Sequence, residues 1–276
     1  MRKAKDKTLK FLMSLCAAVT CLLLIGLIGY MLYRGIPGIN AKFLTTQTSY
    51  ISDSIGILPN ILNTLYLIVL VMIIVVPLGV GAAVYLTEYA SNKRISNAIG
   101  FAVETLTGIP SIIFGLVGML FFTHILGLRQ GILAGSLTLI IMVLPTVISN
   151  TKESLLAVPQ SYREGALALG SGKWHMVRTV VLPNAVDGIV TGCILAVGRV
   201  VGESAALLFT AGFGLKLLGF AEALQSSAAS LTVALYIYAS EEGKFDVAFS
   251  IAVILICITL IINLAASLVG KKVRKS

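Results

Sequence analysis

Charged residues are absent from residues 11–33, 61–87, 131–151 and 247–270. Two further blocks are nearly as apolar. Residues 98–123 contain only Glu104, and residues 186–211 contain Asp187, Arg199 and Glu203. Each block can supply the about 20 helical residues that cross a bilayer core. The short alternating segments of a membrane β-barrel are absent. The pattern predicts an all-α integral membrane protein with six transmembrane helices in one bundle. It divides the chain into a basic tail (1–10), a first helix (11–33), an external loop (34–60), a core of five helices (61–270) and a second basic tail (271–276). The core carries one large loop, residues 152–185.

Composition agrees with this reading. The chain is 57% hydrophobic and 12% charged, against about 25% charged in soluble domains. The net charge of +9 is a topology signal. Basic residues gather in the N-terminal tail, at Lys93–Arg94, in the large loop (Lys152, Arg163, Lys173, Arg178) and in the C-terminal tail. The alternate connections hold only Arg34, Lys42, Arg129, Lys216 and Lys244. The positive-inside rule places both termini in the cytoplasm of a multi-pass cell-membrane protein. Charge scattered over four short segments argues against nucleic-acid binding. The first apolar block exceeds a signal-peptide core and lacks a clear cleavage site, so it reads as a retained anchor helix. The four cysteines fall inside predicted spans at spacings that fit neither zinc nor a disulfide framework. His124 and His175 are isolated, and no metal is expected. The apolar stretch at 231–239 is too short to span. It is expected to lie in or dip into the outer interface, or to meet a partner.

The large loop carries the strongest pattern. Pro159 stops one element, and Gln160 or Ser161 is placed to cap a short helix. Gly170, Ser171 and Gly172 break that helix. A second short helix follows and is expected to end at Leu182-Pro183. Two short helices across a glycine turn offer either a docking protrusion or an amphipathic interfacial link. This segment resembles the cytoplasmic loop signature of ABC-transporter permeases. Glu164, Gly165 and Ala166 stand where that signature has Glu-Ala-Ala, followed at the same spacing by Gly170, Val180 and Leu182-Pro183. Gly165 and Val180 are mild departures. The resemblance implies a type I ABC importer permease architecture and a coupling helix seated in an ATP-hydrolysing subunit. Residues 105–119 and 198–212 resemble the shorter of the two bacterial phosphate-specific ABC permeases. That resemblance implies a sister permease subunit, two ATP-binding subunits and an extracytoplasmic phosphate-binding protein. The chain has no GxxxxGK[ST] loop. It is therefore expected to bind no cofactor and to be no enzyme itself, with ATP and Mg held by the partners.

The fifth block is the candidate substrate pathway. At 100° per residue Gly188, Gly192, Ala196, Arg199, Glu203, Ala206 and Thr210 share one face, while bulky residues occupy the other. A charge at a helix centre costs about 2.5–3.5 kcal/mol on insertion scales. At i and i+4 Arg199 and Glu203 are placed to neutralise one another as a structural pair. Alternatively Arg199 serves an anion, which a guanidinium matches with paired donors, and Glu203 holds it and tempers its grip. Ser111, after the expected Pro110 kink, is a further candidate for the pathway. Glu104 reads as a snorkelling side chain, and Asp187 suits a helix N-terminus. The reading drawn from these residues is a phosphate import permease. The alternatives are a permease for another oxyanion, such as sulfate or molybdate, and a proton-coupled secondary transporter. The latter needs inverted repeats and titratable groups spread through several spans, and neither is evident.

Overall fold

In the computed structural model residues 2–49, 54–90 and 92–275 are described. Among them five helices are long and apolar enough to cross a membrane, and a helix pair bent by 100° makes a sixth where it counts as one span. Helix α1 (Arg2–Gly35) packs against the last helix and otherwise turns its leucines, isoleucines and phenylalanine outward. No water-soluble protein exposes such a surface, and lipid or a partner must cover it. A short 3₁₀ turn leads to α2 (Ala41–Thr45), whose first turn is capped by Asn40 accepting from the Phe43 N–H at 2.8 Å. A small antiparallel hairpin follows, β1 (Gln47–Ser49) with β2 (Ser54–Ile57). Periodicity gave no hint of this hairpin in the 34–60 loop. It marks one end of the bundle.

Helix α3 (Leu58–Val84) and α6 (Ile132–Leu156) form the centre. Leu67, Val71 and Val75 meet the buried Leu139, Met142, Val143 and Val147 in one core cluster. Gly79 lets α3 approach Val147 closely, since a Cβ there would sit 2.7 Å from that side chain. Helix α3 ends in a π-turn, Tyr85–Tyr89.

The third apolar block is not one straight span. Helix α4 (Lys93–Thr107) stops at Gly108, and α5 (Ser111–Gly118), continued by a π-turn to Ile125, departs at 100°. Pro110 has no N–H to donate and its ring drives Ile109 out of the helical region. Among the described side chains of α4 only Val103 is buried. Glu104 is exposed, as a snorkelling side chain requires.

The large loop contains α7 (Gln160–Ala168) and α8 (Lys173–Met176). Two sequence expectations fail here. Neither Gln160 nor Ser161 caps α7, because Pro159 itself occupies the N-cap with extended backbone. Leu182-Pro183 does not end the second helix. The chain runs on through a π-turn (Val177–Val181) into α9 (Leu182–Gly202), one helical stretch from Lys173 to Gly202. The Leu182 N–H donates to Val177 O rather than to the oxygen of Arg178, which an α-helical turn would use. That wider turn takes up the missing donor of Pro183, and the proline sits in the first turn of α9, where it is tolerated.

Beyond Gly202 come α10 (Ala205–Thr210), α11 (Phe220–Ala223), α12 (Leu231–Tyr236) with its π-turn to Glu241, and α13 (Phe245–Lys275). The short apolar stretch at 231–239 is folded inside the chain. Leu231, Val233, Ala234 and Tyr238 are fully buried, with α12 packed against α13 and α3. Gly243, at φ +65°, makes the left-handed turn into α13.

Candidate functional site

Two places concentrate the chemistry. The first is where the breaks of α4/α5 and α9/α10 meet. Helix α5 packs on α10, and Gly115 lies so close that a Cβ would sit 2.7 Å from Ala206 Cα. Helices α9 and α6 run antiparallel, with Gly188 on Ser154 and Gly192 on Asn150. Continuing that register brings Arg199 level with Val143, near the middle of α6. Gly118 packs on Thr138, and Ile113 shares a small apolar cavity with Ile141. Arg199 therefore lies midway along α6, and Ser111 begins α5, which packs on the same helix.

The ion pair expected between Arg199 and Glu203 does not form. The helix that would align them stops at Gly202, and Glu203 has extended backbone (φ −82°, ψ 123°). Its side chain, 8% exposed, turns toward α10. The Ala206 N–H donates to Glu203 Oε1 at 3.0 Å. Ser204, at the N-cap position, makes no such bond. The Thr232 hydroxyl donates to Glu203 O at 2.7 Å, fastening the break to α12. A carboxylate at an N-terminus satisfies donors a helix leaves open. Glu203 is thus occupied locally. Arg199 is half-buried, and among the described residues its guanidinium has no ion-pair or hydrogen-bond partner. Ser111 is half-buried and its hydroxyl likewise has none.

The glycines of α9 are of two kinds. Gly188 and Gly192 serve close packing on α6. Gly198 and Gly202 would place a Cβ with nothing within 4 Å. They line an open, mostly apolar cavity of about 260 Å³ with Val201, Thr232, Leu255, Ile256, Thr259 and Leu260, which does not include Arg199.

The second place is α7. Glu164 and Gly165 are exposed, Ala166 packs on the Met176, Val177 and Val181 cluster, and Leu169 at the tip is 91% exposed. Gly170, at φ +81°, allows the Ser171 N–H to close on Ala166 O at 3.1 Å. That left-handed conformation is the reason for a glycine there. Leu182 is half-buried and Pro183 exposed on the continuous helix.

Sequence reasoning missed Glu88 and, as a functional residue, Arg163. Arg163 reaches back from α7 to Glu88 in the π-turn of α3, with Nη2 to Oε1 at 3.0 Å and Nε to Oε1 at 3.1 Å. A carboxylate just beyond an apolar block was the one available signal. Nothing in the sequence pairs it with a residue so distant. Among the described residues no His, Cys, Asp or Glu cluster could hold a metal.

A multi-pass bundle whose crossings are interrupted at mid-depth, with one short helix projecting from its end, defines a membrane transport subunit. Residues 75–275 match the family described as the binding-protein-dependent transport system inner membrane component, and the chain belongs to that family of ABC permeases. It is 37% identical to the probable ABC transporter permease protein YqgI of Bacillus subtilis (strain 168), over 99% of this chain and 98% of that one. It is 35% identical to the phosphate transport system permease protein PstA 1 of Mycobacterium tuberculosis (strain ATCC 25618 / H37Rv), over 71% of this chain and 64% of that protein. The match therefore spans under two thirds of that relative's length. Among solved structures, a bacterial alginate ABC transporter in complex with an alginate pentasaccharide-bound periplasmic protein superposes with a TM-score of 0.69 at 16% identity, covering 100% of this chain and 98% of that one. The MetNI methionine ABC transporter gives 0.61 at 21%, covering 79% and 94%. These likenesses bear on the fold, which is that of a type I ABC importer permease.

Proposed function

We propose that this chain is a membrane-spanning subunit of an ATP-driven importer of inorganic phosphate. The observation that carries the reading is Arg199, a half-buried guanidinium at mid-depth with no carboxylate of its own chain beside it among the described residues. A charge so placed costs about 2.5–3.5 kcal/mol, and Glu203 does not offset it. An anion in transit does, and a guanidinium offers a phosphate two parallel donors. The likeness to phosphate permeases supports this choice of anion.

In this reading Glu203 shapes the pathway by fixing the break in α9. Ser111 adds a hydroxyl at the α4/α5 break. One half of the pathway comes from a sister permease subunit. Both termini and α7 face the cytoplasm. Glu164, Gly165 and Ala166, with Gly170 and Leu182-Pro183 behind them, seat α7 in one of two ATP-binding subunits that hold ATP and Mg. An extracytoplasmic phosphate-binding protein delivers the ion at the hairpin end. Closure of the ATP-binding subunits then moves α7, and the breaks in α4/α5 and α9/α10 let the bundle change which side is open.

The test is ATP-dependent uptake of radiolabelled phosphate into vesicles holding the full complex, with sulfate and molybdate as competitors. The expected result is uptake that neither competitor suppresses. Absent phosphate uptake, with sulfate or molybdate carried instead, contradicts the choice of anion.

A further inference from the structure

Helix α7 projects from the bundle, held by Ala166 on a cluster that includes Ala83, Val84 and Leu155 and by one ion pair. Between it and the bundle lies an open cleft of about 570 Å³, lined in part by Thr87, Glu88, Gln160, Arg163, Lys173 and Met176. Arg163 crosses that cleft, and Lys173 at its edge lies over the Tyr89 ring at 5.1 Å. Arg163 pairs with Glu88, and it also donates from Nη1 to Val158 O at 2.6 Å and from Nη2 to Leu155 O at 2.7 Å. Leu155 lies in the last turn of α6, and Val158 in the connector to α7. One guanidinium thus joins α7, the end of α6 and the π-turn of α3. The two side chains are only 12% and 6% exposed. Charges withdrawn from water persist when paired and fully hydrogen-bonded, and losing one partner is costly. The planar fork suits a carboxylate and two carbonyls together in a way an ammonium does not.

The neighbours of this clip give it direction. Arg163 precedes Glu164, so one residue of α7 faces the bundle while the next faces outward to solvent. Glu88 lies in a π-turn, where the hydrogen-bond ladder is loosened, a feature frequent at functional positions. Helix α3 then runs through the core, with Pro77 inside it. Near its far end Thr64 accepts from the Leu231 N–H at 2.9 Å, and Asn60 and Asn63 both donate to Ala229 O. The adjoining Thr232 holds Glu203 at the break of α9.

We propose that the Arg163–Glu88 pair is the positioning device that transmits displacement of α7 to α3. A push on the outer face of α7 moves Arg163, and Arg163 carries the end of α3 with it, beside the apolar contact that Ala166 makes with the Ala83 and Val84 cluster. This rests on the reading of α7 as the contact for an ATP-hydrolysing partner, and it does not depend on which anion is carried.

The experiment uses the full complex in liposomes. A cysteine replaces Gly202, where a side chain meets open space, and Cys16, Cys21, Cys193 and Cys257 are changed to alanine. The readouts are ATP hydrolysis and the ATP-driven change in labelling of that cysteine by an impermeant thiol reagent. Four variants are compared: Arg163→Gln, Glu88→Gln, the double variant and Arg163→Lys. The double variant leaves no unpaired buried charge, so it tests the pair even if a single variant assembles poorly. The expected result is at least a fivefold smaller labelling change in the double variant, with ATP hydrolysis within twofold of the parent. The double variant should be no worse than the worse single variant. Arg163→Lys should fall between parent and Arg163→Gln. An assembled double variant with the parent's labelling response overturns the proposal. So does a parent whose labelling ignores ATP, since there is then no movement for the pair to carry. Failure of the phosphate reading looks different: no phosphate uptake, with ATP-driven labelling intact.

Discussion

Arg163 and Arg199 both hold a guanidinium partly out of water, in opposite surroundings. Arg163 has a carboxylate and two carbonyls within 3.1 Å and sits where three elements meet. Arg199 stands on a helix where Gly198 and Gly202 border open space. Its nearest acid in sequence, Glu203, has turned away to serve Ala206 and Thr232. A satisfied buried charge specifies geometry. An unsatisfied one at mid-depth calls for a partner that no described residue supplies. The contrast separates a residue that organises the fold from the one proposed to meet an anion.

The strongest way to break this contrast is to remove each charge and compare what is lost. Arg163→Ala strands Glu88 in a buried site, and breaking such a pair costs about 3–5 kcal/mol. The expected outcome is a clear fall in the thermal midpoint of the purified complex. Arg199→Gln should leave that midpoint unchanged or raise it, because an unpaired charge at mid-depth is itself costly. Equal destabilisation by both would erase the distinction.

Glu203 sharpens the comparison. Glu203→Ala leaves the Ala206 N–H without its acceptor, at about 1–3 kcal/mol. Glu203→Gln keeps an oxygen there and should cost less than half as much in the same melting experiment. If the two variants behave alike, the cap is not what Glu203 contributes. The glycines of α9 make a smaller contrast. Gly192→Ala pushes a Cβ to 2.9 Å from Asn150 Cβ, and overpacking costs about 1–3 kcal/mol. Gly198→Ala enters open space and should be neutral to within about 0.5 kcal/mol. Denaturation of the two variants side by side checks this.

These residues also show what the sequence could reveal. Uncharged runs announce helices because lipid leaves the backbone no other partner, so the bundle was legible before its packing was known. Pro110 announced a bend, though nothing local to it sets the angle at 100°. The small face of α9 was legible too. Arranging it on a wheel assumed a continuous helix, and Gly202 with Glu203 ends that continuity, so the inferred ion pair was lost. Leu182-Pro183 reads as a stop on propensity alone, yet a π-turn absorbs it. The Arg163–Glu88 pair joins residues far apart in the chain, and only the fold brings them together. Within α7, Gly170 was visible as a breaker, and its positive φ gives the reason.

The measurement that bears most directly on the central claim is phosphate uptake and ATP hydrolysis in one preparation of the full complex, comparing wild type with Arg199→Gln and Arg199→Lys. An unpaired guanidinium serving the anion predicts at least a hundredfold loss of uptake for glutamine, a smaller loss for lysine, and assembled complex at wild-type levels in both. Wild-type uptake by an assembled Arg199→Gln complex would contradict the account.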